Sequence, residues 1–448
     1  MIATARIPGP RGRLILGCLP QFRRDRLSFL CEVAAKFGDV ATFRLGPRRI
    51  VLINHPDLIE EVLLTRSRQF RKHFGYRLLE PIIGKGLLTS EGDFWLRQRR
   101  LSQPAFLRER INSYAEIMAS LAERHVADWR DGMELDIAEE MSRLTRSIAA
   151  QTLLGVAAES TEKDVADSLE LAMSTFNDRF NAFMPWPLFV PTGTNRRLKQ
   201  AMRQFDRAIY AIISQRRNSA EPTNDLLSML LHARDEDSKG QMTDQQLRDE
   251  VITLYLAGQE TTALALAWLW YETARRPDIA ERLHAEAAAV LQGRRATVDD
   301  LSRMPYGEAL ILETMRLYPP AYLIGREALE DVDIGGYRIR KGWSVFIAQW
   351  VTQRDPRWFD DPLDFRPERW LDGLQKRLPK YAYFPFGGGP RICIGNTFAM
   401  LEMQLVVGEL ASRYRMTLVP AQTITMEPAI TLRVRPGVRV TISKTRRL

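Results

Sequence analysis

The chain has 448 residues, the length of one large domain or of two to three ordinary ones, with 45% hydrophobic and 27% charged residues, the balance of a globular protein with a sizeable core. Its net charge is +9, but the arginines are spread along the whole chain and no basic run is interleaved with aromatics, so a solvated basic surface is expected rather than a nucleic-acid partner. No run of about 18–20 apolar residues exists, so no membrane anchor is expected, and three cysteines, an odd number, argue against a disulfide framework and for a reducing, cytoplasmic compartment.

Residues 1–20, with Ile7-Pro8-Gly9-Pro10, form an extended N-terminal approach, and Leu27 to Phe37 reads as a helix. Val40–Leu45 and Arg49–Ile53 read as a hairpin around Gly46-Pro47. Helical spacing then dominates over Pro56–Leu64, Asp93–Leu107, Ile111–Trp129, Ala138–Leu154, Thr161–Phe180, Asn195–Arg217, Leu226–Ala233 and Thr243–Arg275. Thr243, with Gln246 three residues on, is a capping box at the start of the longest of these. Pro277–Leu291, Pro305–Tyr318 and Gly395–Arg413 follow, with short strands at 333–337 and Trp343–Ala348. The chain ends in strand-like segments at Met416–Val419, Ile430–Val434 and Val438–Ser443, with Pro436-Gly437 as a turn. The expected fold is mainly α with small peripheral β-sheets, and the absence of a linker makes 1–448 a single large domain.

Cys393 lies in Phe386-Gly387-Gly388-Gly389-Pro390-Arg391-Ile392-Cys393-Ile394-Gly395, a glycine-rich turn with a cation two residues before the thiol and a helix starting after it. Cations and helix N-termini favour the thiolate, the metal-ligand form of cysteine. The glycines let backbone pass close to a flat ligand. A free cysteine is more often a small buried hydrophobe, so Cys393 alone settles nothing. A dinucleotide loop fails because no βαβ unit follows, and a zinc site fails because Cys18 and Cys31 are distant and unpaired in spacing.

Within the longest helix, Ala257-Gly258-Gln259-Glu260-Thr261-Thr262 places a glycine, an acid and a hydroxyl pair in apolar surroundings. Thr side chains compete for backbone carbonyls there, and such rule-breaking in mid-helix often marks a functional site. Back-bonding threonines and a solvated glutamate are the plain alternative. Glu313 and Arg316, three apart, share one helix face.

Together these segments resemble the cytochrome P-450 superfamily. The Cys393 run matches its haem-ligand signature, Phe-x-x-Gly-x-Arg-x-Cys-x-Gly. Residues 257–262 match its oxygen-binding motif, and Glu313-x-x-Arg316 with Pro367-Glu368-Arg369-Trp370 matches its Glu-Arg-Arg triad. The motifs stand in the family's order, and the likeness runs from Pro8 to the terminal strands. It implies that Cys393 is the axial thiolate of haem b, in a loop that includes Phe386, Gly387 and Gly395. It implies that Gly258 leaves room for dioxygen while Glu260 and Thr261 handle protons. Trp95, Arg99, Arg326 and Arg391 would hold the haem propionates, with either Lys72 or His73 as a weaker addition. Glu313, Arg316 and Arg369 would be structural. Gln353 stands where many members carry histidine.

The activity implied is insertion of one oxygen atom from O2 into a C–H or C=C bond. Two electrons would come from a separate ferredoxin and its reductase docking on the Cys393 face, because no flavin or iron–sulfur motif is present. The resemblance places the substrate pocket at Phe74, Leu88, Phe180, Leu254, Ala257, Leu323, Ile324 and Leu432, near Phe176, Phe183, Met184 and Trp186. Their apolar character implies a terpenoid, steroid or fatty acyl substrate for a monomeric enzyme. The alternatives are P-450-fold chemistry of another kind (a peroxide-driven hydroxylase, isomerase or dehydratase) and a non-enzymatic haem sensor. Enzymes of that other chemistry often lack the acid–threonine pair, which this chain retains.

Overall fold

The computed structural model describes residues 6–155, 189–218, 225–235 and 240–445. The expected helix at 161–180, and with it Phe176, Phe180, Phe183, Met184 and Trp186, lies outside the described residues.

The central element is the helix Asp244–Ala274. Its capping box is formed as expected: Thr243 Oγ1 accepts from the Gln246 N–H at 3.2 Å, and Gln246 Oε1 accepts from the Thr243 N–H at 2.9 Å. At 31 residues it spans about 46 Å. It is buried along most of its length, by Leu247, Val251, Leu266, Trp268 and Trp270 among others, so it runs through the core instead of lying on it. The helices Ile137–Ala149, Pro305–Leu317 and Asn396–Arg413 pack against it.

A five-stranded sheet stands to one side, in the order β1-β2-β8-β5-β3. It comprises β1 (Val40–Leu45), β2 (Arg48–Ile53), β3 (Phe70–Lys72), β5 (Ile324–Ala328) and β8 (Ser344–Ile347). Its register sets Lys72 directly opposite Arg326. Among the described residues the rest of the β-structure is peripheral. β4 (Glu134–Asp136), β12 (Arg439–Lys444) and β9 (Tyr414–Leu418) form one small sheet, β6 (Val332–Ile334) pairs β7 (Tyr337–Ile339), and β10 (Thr425–Pro428) pairs β11 (Leu432–Arg435). The fold is mainly α with small sheets, as the sequence led one to expect.

Most element boundaries fall within a residue or two of the expected ones. Two long expected helices are instead broken. Residues 93–107 become Gly92–Ser102 followed by a 3-10 turn at Gln103–Phe106, where Pro104 removes an amide donor. Residues 111–129 split into Arg108–Ser113 and Ala115–His125 at Tyr114.

Candidate active site

The loop 386–395 is shaped by its glycines. Gly387 and Gly389 have φ of +73° and +66°, and a Cβ on Gly389 would sit 1.8 Å from the Leu63 carbonyl oxygen. The loop closes when the Cys393 N–H donates to the Phe386 carbonyl at 3.0 Å. Arg99, from the helix Gly92–Ser102, reaches across to donate to the Ile392 carbonyl at 3.0 Å. Burial pushes the Cys393 thiol up, opposed by the Gly395 amide and by Arg99. Yet the side chain is accessible. Its surroundings thus desolvate the sulfur without sealing it off. The cation beside the sulfur is Arg99, because Arg391 turns away. Burial also outweighs the helix end, so the loop by itself holds a thiol; a metal bound there would drive off its proton.

Arg391 forms a two-pronged pair with Glu91, with Nη1 to Oε1 at 2.6 Å, and lies 5.1 Å from the centre of the Trp95 ring. Lys72 Nζ stands 6.0 Å from the same ring and donates to the carbonyls of Leu87 and Ser90, both at 2.7 Å. Arg326 is 8% exposed, and its guanidinium donates to the neighbouring Gly325 carbonyl at 3.1 Å, with no carboxylate in salt-bridge reach among the described residues. Burial and the nearby Arg391 lower its pKa, while Tyr76 opposes the fall. Like charges directly opposite on paired strands are unfavourable, so a buried Arg326 facing Lys72 and near Arg391 is a site that calls for an anion. Tyr76, whose hydroxyl burial pushes up beside Arg326, also belongs to this cluster. Sequence reasoning missed it, since a tyrosine four residues past Lys72 carries no signal of its own. His73 does not join: Nδ1 accepts from the Gly75 N–H at 3.2 Å, the ring packs on Phe346, and burial lowers it to about 4, so it is neutral.

Ala257 is exposed in the middle of an otherwise buried helix. Among the described residues, a Cβ added at Gly258 would meet only Leu153 Cδ1, at 3.7 Å. Thr261 does bond back, its hydroxyl donating to the Ala257 carbonyl at 2.7 Å; the oxygen keeps lone pairs free to accept a proton or a hydrogen bond. Glu260 is not simply solvated. Its Oε1 accepts from Thr431 Oγ1 at 3.0 Å and from Arg433 Nε and Nη2 at 3.0 and 2.6 Å. Behind it, burial raises Glu402 well above the usual carboxyl range, with the Thr262 hydroxyl opposing. Glu402 is therefore a neutral acid in the helix that follows the cysteine, packed against the central helix.

The triad assembles. Arg316 bonds both oxygens of Glu313, at 2.9 and 2.8 Å, and Arg369 Nε adds 3.0 Å. Trp370 Nε1 and the Arg366 N–H complete the carboxylate's acceptors, each at 2.8 Å. Gln353 explains its own departure from histidine. Its amide nitrogen donates to the Met315 and Arg316 carbonyls, and its oxygen accepts from the Phe384 N–H. One side chain with a donor and an acceptor end ties the triad helix to the stretch leading into the Cys393 loop.

Among expected pocket residues, Leu88 and Leu323 are half-buried. Phe74 is covered by Arg48, 3.5 Å from its ring centre. Leu254 and Ile324 are buried, at 6% and 8% exposure. Leu432 belongs to the core instead of a pocket wall: it is fully buried, and its carbonyl accepts from Trp268 Nε1 at 3.3 Å.

The donor set fits a haem: one cysteine sulfur, a cation cluster short of anions, and an acid–hydroxyl pair beside a glycine. Comparison with known proteins points the same way. The family model described as Cytochrome P450 matches residues 7–439. Cyclooctatin synthase from Streptomyces melanosporofaciens is 35% identical over 95% of this chain and 93% of its own. Cyclooctat-9-en-7-ol 5-monooxygenase from the same organism is 33% identical over 92% and 89%. Pentalenene oxygenase from Streptomyces avermitilis is 33% identical over 91% and 90%. The solved structure of retinoic acid-bound cyanobacterial CYP120A1 superposes with a TM-score of 0.87 at 26% identity, covering 99% of this chain and 100% of the other. The chain belongs to the cytochrome P450 family and is a haem-dependent monooxygenase.

Proposed function

We propose that the enzyme oxygenates a small hydrophobic terpenoid, using electrons from a ferredoxin and its reductase. The observation that carries this reading is the pairing of Glu260 and Thr261 on the central helix, on a chain about one-third identical, nearly end to end, to oxygenases whose names specify terpenoid-type substrates. When bound, haem with a thiolate ligand supplies oxygen activation. Cys393 would be that ligand, and Arg326, Arg391, Arg99, Trp95 and Tyr76 would hold the propionates. Arg391 would share its guanidinium with Glu91 or exchange it. Thr261 would accept and pass protons at its hydroxyl oxygen, and Glu260 would supply them from Oε2, which has no partner among the described residues. The retained acid–threonine pair favours this over peroxide-driven or isomerising chemistry.

The electron donor would dock on the Cys393 side. Leu96, Leu107 and Ile392 are exposed there at 46%, 56% and 37%, beside Arg97 and Arg99. An acidic ferredoxin with an apolar centre complements that surface. Among the described residues no helix is long and apolar enough to cross a membrane, and a monomeric, cytoplasmic enzyme is the reading adopted.

The test is an optical spectrum of the reduced, CO-treated protein, followed by product analysis across a panel of cyclic terpenes, steroids and fatty acids with a ferredoxin system. A red-shifted Soret band lost in Cys393→His, and oxidised terpenes among the products, are expected. Turnover confined to small polar compounds would overturn the substrate class.

A further inference from the structure

We infer that Arg433 and Thr431 are positioning residues for proton delivery, holding Glu260 by one carboxylate oxygen so that the other is left to exchange protons. The inference deepens the monooxygenase reading and rests on it.

The geometry is asymmetric. Among the described residues, the three donors that meet Glu260 all converge on Oε1: Thr431 Oγ1 at 3.0 Å, Arg433 Nε at 3.0 Å and Arg433 Nη2 at 2.6 Å. A guanidinium facing a carboxylate would ordinarily spread over both oxygens in a fork, as Arg316 does on Glu313. Here the same Nε–Nη2 edge of Arg433 is spent on a single oxygen. Oε1 is saturated as an acceptor, and proton exchange falls to Oε2. The pair is neither core nor free surface, with the arginine and glutamate side chains 24% and 20% exposed, so water can reach it.

The clamp comes from a fixed piece of structure. Thr431 and Arg433 flank Leu432 at the start of β11. The Leu432 N–H donates to the Pro320 carbonyl at 3.0 Å, and its own carbonyl accepts from Trp268 on the central helix. The preceding turn is tied by Tyr322, whose hydroxyl donates to the Ala429 carbonyl at 2.9 Å. Leu432 is thus an anchor, and the residues on either side of it are aimed at Glu260. That explains why a position expected in the substrate pocket is instead buried. Glu260 is followed at once by Thr261, whose hydroxyl is committed as a donor to Ala257 and open as an acceptor. A rotation of the Glu260 carboxylate out of the clamp would misdirect Oε2 without disturbing the helix.

The experiment uses the full-length haem enzyme with a ferredoxin and reductase, and β-ionone as the probe. Rates of NADPH oxidation are measured in H2O and D2O for wild type, Arg433→Met, Arg433→Lys, Glu260→Gln and the Glu260→Gln/Arg433→Met double variant. If Arg433 positions the proton donor, Arg433→Met slows NADPH oxidation on the order of tenfold, less than the ~10²–10⁴-fold of losing general acid catalysis outright, and the solvent isotope effect rises. Arg433→Lys, which keeps the cation, recovers most of the rate. The double variant is no slower than Glu260→Gln. Melting temperatures of the same set, measured on haem-loaded protein, show coupling between the two sites, while the reduced-CO spectrum and the spectral affinity for β-ionone stay at wild type. An unchanged isotope effect in Arg433→Met, or full additivity with Glu260→Gln, would overturn the inference. If β-ionone gives no spectral change, the terpenoid reading is the one in trouble; the same rates and isotope effects read without β-ionone still decide the role of Arg433.

Discussion

Lys72 and Glu250 grip opposite ends of one residue. Lys72 Nζ donates to the Leu87 carbonyl at 2.7 Å, and Glu250 Oε2 accepts from the Leu87 N–H at 3.0 Å. Glu250 is fully buried, and its second oxygen accepts from Gln98 at 3.2 Å. The central helix therefore holds the loop that precedes the haem-side helix Gly92–Ser102 through a buried acid, while the five-stranded sheet holds it through a buried base.

Both groups are displaced towards neutrality. Burial is the main cause for Glu250, raised to about 7 despite the Leu87 amide, Gln98 and Lys72. Burial also dominates for Lys72, lowered to about 7 against the help of Glu91 and Glu250. For Glu250 the folded value lies above the unfolded one, so its stabilising contribution is full at pH values below the unfolded value of 4.5 and is lost as pH rises towards 7. For Lys72 the folded value lies below the unfolded one, so its contribution is full only above 10.5 and falls away as pH drops towards 7. Stability from this pair is lowest near neutral pH. Glu250→Gln should flatten the slope between pH 5 and 7 and raise stability at pH 7.5 by up to about 3 kcal/mol. Thermal melting across that pH range checks it; an unchanged slope would refute the assignment.

Arg316 has no exposed side-chain surface and satisfies, besides Glu313, the carbonyls of Gln353, Pro362 and Asp364. Arg316→Met would strip the Gln353 and Pro362 carbonyls of their donor, leave the Asp364 carbonyl with the 3.4 Å bond from Arg369, and remove one cation from a buried carboxylate. A loss of about 3–5 kcal/mol is expected, a fifth or more of the stability of a typical domain. The denaturant midpoint reports it directly, and Arg316→Lys should rescue little because an ammonium cannot span both oxygens and three carbonyls.

Arg326 makes the opposite case. Its neighbours Arg391 and Lys72 repel it, no carboxylate lies within salt-bridge reach among the described residues, and Glu91, which favours its charge from further off, is already paired with Arg391. Arg326→Met should leave the haem-free protein as stable as wild type or more so, while haem is lost faster to an acceptor such as apomyoglobin. Melting curves of apo-protein and transfer kinetics separate the two effects. A destabilised apo-protein with normal haem retention would show that Arg326 serves the fold alone.

Much of this was legible in the sequence because it rests on local chemistry. The capping box at Thr243 and Gln246, the Pro277–Leu291 helix and the Glu313–Arg316 spacing are set by neighbours within a turn. What escaped depends on distant residues. β3 and β5 are short strands paired across about 250 residues, too short for periodicity to mark. Arg433 reaches Glu260 from 173 positions away, and Glu91 claims Arg391 from 300. No spacing rule covers such pairs, and only the packing of the hairpin and of the Gly92–Ser102 helix shows them. Leu432 was misread for the same reason: a leucine in a terminal turn gives no sign that its backbone is bonded to Trp268 and Pro320.

Gly258 offers a test in which stability and function part ways. Among the described residues a methyl group there would touch only Leu153, at an ordinary contact distance of 3.7 Å. Alanine is the better helix former, so Gly258→Ala should raise stability by up to about 1 kcal/mol. The side of the helix that glycine leaves bare adjoins the exposed Ala257 and the Thr261 hydroxyl. If that bareness makes room for oxygen beside Thr261, the same methyl should cut product formed per NADPH several-fold and divert electrons to hydrogen peroxide. A variant both more stable and poorly coupled is the expected outcome, read from melting temperature and a peroxide assay on one preparation. Full coupling in a stabilised Gly258→Ala protein would mean that the glycine has no part in oxygen handling.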